Sequence, residues 1–381
     1  MKSYLFILIF LVYSAICFYV SYRVWQTLPD IKIVKIGYVI LAILLAFGYI
    51  FGVIFQSFIP LGVARVIEYV GSMWFIFLIY ALISVVLIDI VRLFDHWLHV
   101  LPTGKSFGIF NLQQIAALCV LVVITTLFIA GYYRFTHPKT ETLDIYIPQK
   151  SPNKEGVLNI AVASDLHLGS IIRKKTTQRF VETINNLNSD IILLVGDVIN
   201  SDLRTLKEQE LNIYLKELDA PLGVYSVLGN HEYISRDVNE AMKFLRSADI
   251  EVLKDDAIVV NHQIILIGRD DRTNHDRKSL KTLVDQIDNY NNLPIIVMDH
   301  QPYNLNEVID GNITLSLSGH THNGQIWPGN LIVRSMYELP YGYMKKGNSH
   351  FYVSSGLGLW GPPFRIGTQS EVVLIRMHFE K

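Results

Sequence analysis

Four long apolar runs fill the first third of this 381-residue chain: Tyr4–Val24, Val34–Phe55, Val70–Val91 and Ile115–Tyr133. A bilayer core offers no water to backbone N–H and C=O groups, so a segment that crosses it is a helix or part of a closed barrel. A helix needs roughly 20 apolar residues to cross the hydrocarbon. One such run can be the core helix of a soluble protein; four in succession are hard to explain that way. The first run also has the length of a signal peptide, but no small-residue cleavage pattern follows it and three further runs do. Asp89, near its end, weakens the third. Tyr19, Tyr22 and Trp25, then Tyr132 and Tyr133, fall where interfacial aromatic belts are expected. Residues 1–136 therefore read as a transmembrane region of four helices with both termini on one side. Arg23, Lys32, Lys35, Arg92 and Lys105 on one set of loops against Lys2, Arg65, Arg134 and Lys139 on the other do not decide which side.

The net charge of −1 gives no bulk attraction to nucleic acid. The only cysteines, Cys17 and Cys119, lie in apolar runs, so the remainder holds no internal disulfide, thiolate nucleophile or cysteine zinc knuckle. Glu68, Asp89 and Asp95 supply too few acids to make a transport path the leading reading of the spans.

From Phe135 to Glu155 the composition changes, with His137-Pro138, Pro148 and Ser151-Pro152-Asn153. Residues 137–156 read as a linker, with a short strand at Leu143–Ile147. Beyond it, in 157–381, short β-branched runs end in polar clusters. Val157–Ser164 ends at Asp165-Leu166-His167 and Ile191–Val195 at Gly196-Asp197. Val224–Leu228 ends at Gly229-Asn230-His231-Glu232, Ile295–Met298 at Asp299-His300, and Ile313–Leu317 leads to Gly319-His320-Thr321-His322. Helical periodicity lies between, over Lys175–Asn188, Leu203–Leu218, Val238–Ala248 and Lys278–Asn289. Ala257–Val260 with Gln263–Gly268 (a hairpin), Leu331–Arg334, Phe351–Ser354 and Glu371–His378 read as further strands. The fold class is α/β, a two-sheet sandwich flanked by helices. Ligands in such folds gather beyond the carboxyl ends of strands, where all five polar clusters sit.

Those clusters supply Asp165, His167, Asp197, Asn230, His300, His320 and His322. His320 and His322 alternate across one residue, which on an extended backbone points both rings the same way. Carboxylate, imidazole and amide oxygen without thiolate suit Mn, Fe or Zn better than Ca or Mg. Seven donors exceed the needs of one open ion, and two divalent ions sharing a carboxylate fit better; such a pair, about 3.5–4 Å apart, clamps a phosphoryl group. Each piece has a plainer reading: Asp165 and Asp197 as loop caps, Gly229-Asn230 as a turn, His231 as a surface histidine, His300 before Gln301-Pro302 as a turn residue. His96, His99, His262 and His275 lack comparable context. Arg269, Arg334 and Arg365 are candidate phosphate grips, though each reads more readily as a surface or structural residue. Asp270-Asp271 reads as loop, and Trp327, Tyr337, Tyr341, Trp360 and Phe364 lie near the polar blocks, either lining a pocket for a lipid or sugar or covering the second sheet.

In order along the chain, Asp165-x-His167, Gly196-Asp197, Gly229-Asn230-His231-Glu232, His300 and Gly319-His320-x-His322 resemble the calcineurin-like metallophosphoesterases over roughly Val157 to Met377. The Gly-His-Thr-His-Asn-Gly-Gln form and the Ser355-Gly356-Leu357-Gly358 to Gly361-Pro362-Pro363-Phe364-Arg365 stretch are similar to the YkuE/YaeI-type membrane-associated phosphodiesterases of bacteria. The resemblance implies one metal on Asp165, His167 and His322 and a second on Asn230, His300 and His320. Asp197 would bridge, and His231 would be the catalytic group facing the phosphate. It also implies in-line attack by a metal-bridging hydroxide. An aspartate that orients this histidine in many relatives is replaced here by Asn200, with Asp202 or Glu232 as possible stand-ins. The expected protein is a multi-pass hydrolase of a bacterial cell membrane. It would act on a phosphodiester or pyrophosphate of a small molecule or lipid, with the bilayer as partner and no nucleic acid. A phosphomonoesterase or phosphoprotein phosphatase, and a non-catalytic membrane sensor of a phosphorylated ligand, are the alternatives.

Overall fold

The computed structural model describes residues 2–55, 58–99, 106–107, 110–150, 156–200, 203–235, 237–287 and 293–380. They form two compact units, Met1–Ile129 and Ala130–Lys381.

The first unit is built on helices α1 (Lys2–Trp25), α2 (Lys32–Ile54), α3 (Leu61–Leu98) and most of α4 (Leu112–Thr136). Their segments Tyr4–Trp25, Lys32–Gly52, Gly62–Leu98 and Leu112–Thr136 are long and apolar enough to cross a membrane. Asp89, the residue that weakened the third run, is neutralised within the bundle. Arg23 pairs with it, its Nε lying 3.0 Å from Oδ2, and Tyr19 Oη donates to the same oxygen at 2.6 Å. Paired acids of this kind are how a span tolerates a charge.

The second unit begins with the last residues of α4, from Ala130, and passes almost at once into strand β1 (Lys139–Lys150). The expected linker with a five-residue strand is thus mostly a 12-residue strand. It pairs in parallel with the last strand of the chain, Leu143 opposite Ile375. Ile145 and Ile147 face inward at 1% and 5% exposure while their neighbours face out. Pro148 is tolerated because β1 is an edge strand, where a missing N–H leaves no ladder bond unmade. Ser151, Pro152 and Asn153 lie outside the described residues.

The remaining strands are β2 (Val157–Ala163), β3 (Ile191–Val195), β4 (Val224–Val227), β5 (Glu251–Val252), β6 (Asp256–Val260), β7 (Ile264–Gly268), β8 (Ile295–Met298), β9 (Leu315–Ser318), β10 (Gly342–Lys346), β11 (Ser349–Val353) and β12 (Glu371–Glu380). One six-stranded sheet has the order β1-β12-β2-β3-β4-β5 and the other β10-β11-β9-β8-β7-β6. Both are mixed: parallel at the centre, with antiparallel pairing of β12 to β2 in the first and of β6–β7 and β10–β11 in the second. Alternation divides each strand between two layers. In β3, Ile191, Leu193 and Val195 enter the core between the sheets, where they meet Leu266, Ile296 and Leu317. Ile192 and Leu194 face the helical layer with Phe180 and Val181.

Helices α5 (Lys174–Asn185), α6 (Leu203–Glu208), α7 (Leu211–Leu215), α8 (Asn230–Ile234) and α9 (Val238–Arg246) follow strands of the first sheet. Leu280, Leu283, Leu305 and Val308 of α10 (Leu280–Asp285) and α11 (Leu305–Asp310) cover the second. The single helix expected over Leu203–Leu218 is split where Glu210 takes a left-handed φ of 50°. Of the run Lys278–Asn289, the helix occupies Leu280–Asp285, and Asn289 lies outside the described residues. One expectation fails outright. Leu331–Arg334 is not a strand but the middle of α12 (Gly329–Met336). Three apolar residues before Arg334 fit either period; here Pro328 starts a turn, with Leu331 N–H bonded to its carbonyl at 2.9 Å.

Phe180 is fully buried, its ring against that of Phe135. Truncating a buried aromatic costs about 3–5 kcal/mol. Phe180→Ala is expected to lower the unfolding free energy of the second unit by that amount, seen as a lower urea midpoint at an unchanged slope by circular dichroism of detergent-solubilised protein.

Candidate metal centre

Five strands deliver their polar ends to one place. Asp165 and His167 follow β2, Asp197 follows β3, and Asn230 opens α8 after β4. His300 follows β8, and His320 and His322 follow β9. The backbone is strained to do this: Asp165, His167, Asp197, His320 and His322 all have positive φ, between 49° and 68°. Positive φ is uncommon outside glycine, though Asp and His adopt it more readily than most residues, and it is held where the surroundings over-determine a site. Gly196, at φ 77°, leaves room for His300: a Cβ there would lie 2.6 Å from Nδ1 of that ring.

Asp165, His167 and His322 bring one ligand atom each within 4.8 Å of one another; so do Asp197, His300 and His320. His322 Nε2 stands 3.3 Å from Asp165 Oδ1 and 3.1 Å from His167 Nε2. His300 Nε2 lies 3.1 Å from Asp197 Oδ2, and His320 Nδ1 lies 2.8 Å from Asn230 Oδ1. Asp197 joins the groups, its Oδ2 being 3.7 Å from His167 Nε2. His300 Nδ1 bonds to the Val195 carbonyl at 2.8 Å, which leaves Nε2 turned inward as a lone-pair donor. All seven residues read from the sequence therefore converge.

The electrostatics match a cation well. Burial opposes ionisation of Asp165, but His322, His300 and His167 outweigh it and hold the carboxyl well below its ordinary range. Asp197 behaves alike: burial works against the charge and His300 and His167 prevail. Burial pushes His320 down to about 4 and His167 well down. His320 and His167 are therefore neutral at pH 7, as ligation requires. His300 differs: burial works against its charge, but Asp197 and Asp165 push it well up, and a bound cation would take the place of that proton. Buried carboxylates, inward lone pairs and one amide oxygen, with no thiolate among them, fit borderline divalent ions.

The comparisons agree. A sequence model of the family described as calcineurin-like phosphoesterase matches residues 158–324. An uncharacterized metallophosphoesterase of Helicobacter pylori is 31% identical over 255 residues, which cover 66% of this chain and 67% of that protein. One from Aquifex aeolicus is 31% identical over 224 residues, 57% of this chain and 84% of its own. This chain belongs to the calcineurin-like metallophosphoesterases. A transmembrane protein with metallophosphoesterase domain from Danio rerio is also similar, 30% identical over 67% of this chain and 61% of that protein. Metallophosphoesterases use divalent metal ions, and the residue groups above are where this one would hold them.

His231 stands beside the cluster, its ring centroid 4.5 Å from that of His167. Its N–H donates to Asp197 Oδ1 at 2.8 Å, and its Nδ1 meets Asn200 Oδ1 at 3.0 Å. Asn200 itself is thus the orienting partner. Glu232 does not substitute: it accepts from the N–H groups of Gly229, Ile199 and Asp197. Burial first, and then Asp197, push its carboxyl up to about 8. It ties the β3 loop to the start of α8. Asp202 lies outside the described residues.

Two of the three candidate phosphate grips serve structure. Arg269 is consumed by Asp299 at 2.9 Å and Glu307 at 3.2 Å. Arg365 is fully buried and donates to the carbonyls of Ser355, Gly356, Gly358 and His322. Burial lowers it to about 10, which still leaves it charged. It staples the late loop under His322. Arg334 is exposed on α12. Asp270 and Asp271, read as plain loop, are buried supports: Tyr233 Oη donates to Asp270 at 2.6 Å and Gln301 Nε2 to Asp271 at 2.8 Å. Their signal was position, at the carboxyl end of β7. Tyr337 packs beside His320, Tyr341 donates to Glu371, and Phe364 is buried.

Hydrogen bonds to a charged donor are worth about 1.5–3 kcal/mol each. Arg365→Lys cannot reach all four carbonyls, and a loss of about 3 kcal/mol is expected, lowering Tm by roughly 6–12 °C. Differential scanning fluorimetry in detergent checks it; an unchanged Tm contradicts the staple.

Proposed function

We propose that this metallophosphoesterase is a membrane-anchored hydrolase of phosphodiester or pyrophosphate bonds, its substrate borne on a lipid or lipid-linked sugar. The observation that carries the reading is the convergence of seven donors from five strand ends, five of them buried and Asn230 and His320 half-buried, with one histidine left over beside them. Asp165, His167 and His322 would hold one divalent ion, Asn230, His300 and His320 a second, and Asp197 both. Two such ions supply Lewis acidity and an activated water for in-line displacement at phosphorus. The chain's own part is to hold the phosphoryl group and move a proton. His231, fixed through Nδ1 by Asn200, presents its other nitrogen to the leaving oxygen. An amide sets that orientation without adding the negative charge a carboxylate would bring. Four helices able to cross a membrane support a multi-pass anchor in a bacterial cell membrane.

Full-length protein purified with manganese is expected to bind two ions per chain and to hydrolyse bis(4-nitrophenyl) phosphate. Even outer-shell partners of a metal cost about 10–100-fold when lost, so Asp197→Asn should lower turnover by more than about 100-fold and reduce the bound metal. His231→Ala should keep both ions and lose roughly 10²–10⁴-fold in turnover, the worth of a general acid. Elemental analysis and initial rates across monoesters, diesters and nucleotide-sugar pyrophosphates read both out. Unchanged turnover in Asp197→Asn contradicts the bridging role.

A further inference from the structure

Among the described residues of the second unit, the exposed Leu, Ile, Met and Trp side chains are not scattered. Ile213 and Ile234 stand alone, whereas Trp327, Leu331, Ile332, Met336 and Trp360 fall in one late segment. Leu331, Ile332 and Met336 are 55%, 61% and 58% exposed, and α12 buries none of its residues. At about 100° per residue, Leu331, Ile332, Ser335 and Met336 share one side of α12, with Asn330 and Arg334 opposite. An amphipathic helix whose apolar side faces away from the core has the form of an interfacial membrane element, and clustered exposed apolar groups mark an interaction surface.

The segment's neighbours say which surface. Ala130–Thr136, the end of α4, belongs to the same compact unit. Arg365 N–H donates to the Gly131 carbonyl at 3.0 Å, and a Cβ at Gly131 would lie 2.8 Å from Ile366. Ile366 in turn bonds Gln325 at 3.0 Å and Trp327 at 2.7 Å, directly before α12. Next to Gly131, Tyr132 and Tyr133 are 51% and 61% exposed, as expected of a headgroup-level aromatic belt. A helix that crosses a bilayer emerges at its surface, and it is the last turns of α4 that this loop grips. The same loop holds Arg365, which donates to the carbonyl of His322.

We propose that α12, with Trp360 beside it in the late segment, is a lipid-docking surface: its apolar side enters the headgroup–acyl boundary and brings the metal-centre mouth to the bilayer. The proposal needs the membrane anchor but not the hydrolytic activity. It names where a lipid-borne phosphoester would reach the site, from the membrane and past α12.

The test uses the full chain in liposomes, with Cys17→Ser and Cys119→Ser and a nitroxide on Ile332→Cys or Met336→Cys. The control is His262→Cys, in the turn at the amino end of β7, opposite the end that carries the site. Power-saturation electron paramagnetic resonance compares collisions with oxygen and with a water-soluble nickel chelate. In liposomes, labels at Ile332 and Met336 are expected to show lower nickel accessibility and higher oxygen accessibility than the label at His262, which stays nickel-accessible. Nickel accessibility at Ile332 and Met336 equal to that at His262 overturns the proposal. Dipolar broadening between labels also overturns it, because the occupant would then be a second copy of the chain. Repeating the measurement in Asp197→Asn separates docking from catalysis: the label pattern should persist whether or not that variant turns over.

Discussion

The second unit depends on burying two carboxylates, Asp165 and Asp197, at the carboxyl ends of adjacent parallel strands. Neither charge would survive there alone: an isolated ion in a protein interior costs several kcal/mol or takes up a proton. What keeps them ionised is chiefly His322 and His300 beside Asp165 and His300 beside Asp197, brought over them by other strand ends. Hence the sandwich arrangement matters. Sheet one contributes the acids, His167 and Asn230; sheet two contributes His300, His320 and His322, and the site exists only because the two layers are packed face to face.

That requirement explains several local costs. Five of the converging residues carry left-handed backbone, and glycine stands where a neighbouring ring presses in. Around them the polar groups of the loops are tied off: Glu232 on three backbone N–H groups, Arg365 on four carbonyls, His300 on the Val195 carbonyl. Strain at the centre is held by hydrogen bonding just outside it, as a site that must keep its geometry through turnover demands.

Much of this was legible in the sequence because β-branched runs followed by Asp, Asn or His announce both a strand and its functional end. Ile191–Val195 and Ile295–Met298 were readable to the residue. Where legibility failed, two structures shared one local pattern. Leu331–Arg334 fits a strand and a helix equally, and its apolar side has no core partner to break the tie. Lys139–Lys150 hid behind Pro148, which demotes a strand unless it lies at an edge. Arg365 reads from sequence either as a phosphate grip, by its planar fork, or as a structural residue; only the fold decides, with its guanidinium surrounded by carbonyls. The supports Asp270, Asp271 and Glu232 act through partners far along the chain, which no local pattern reveals.

The central claim is that two cations sit together where these strands end. Electron paramagnetic resonance of the full-length protein loaded with manganese addresses it most directly. A pair about 3.5–4 Å apart that shares a bridging ligand would give the multiline spectrum of an exchange-coupled dimanganese site, replaced by an uncoupled signal in Asp197→Asn. A six-line spectrum of isolated manganese alone in the unmodified protein, with two ions bound per chain, would contradict the account.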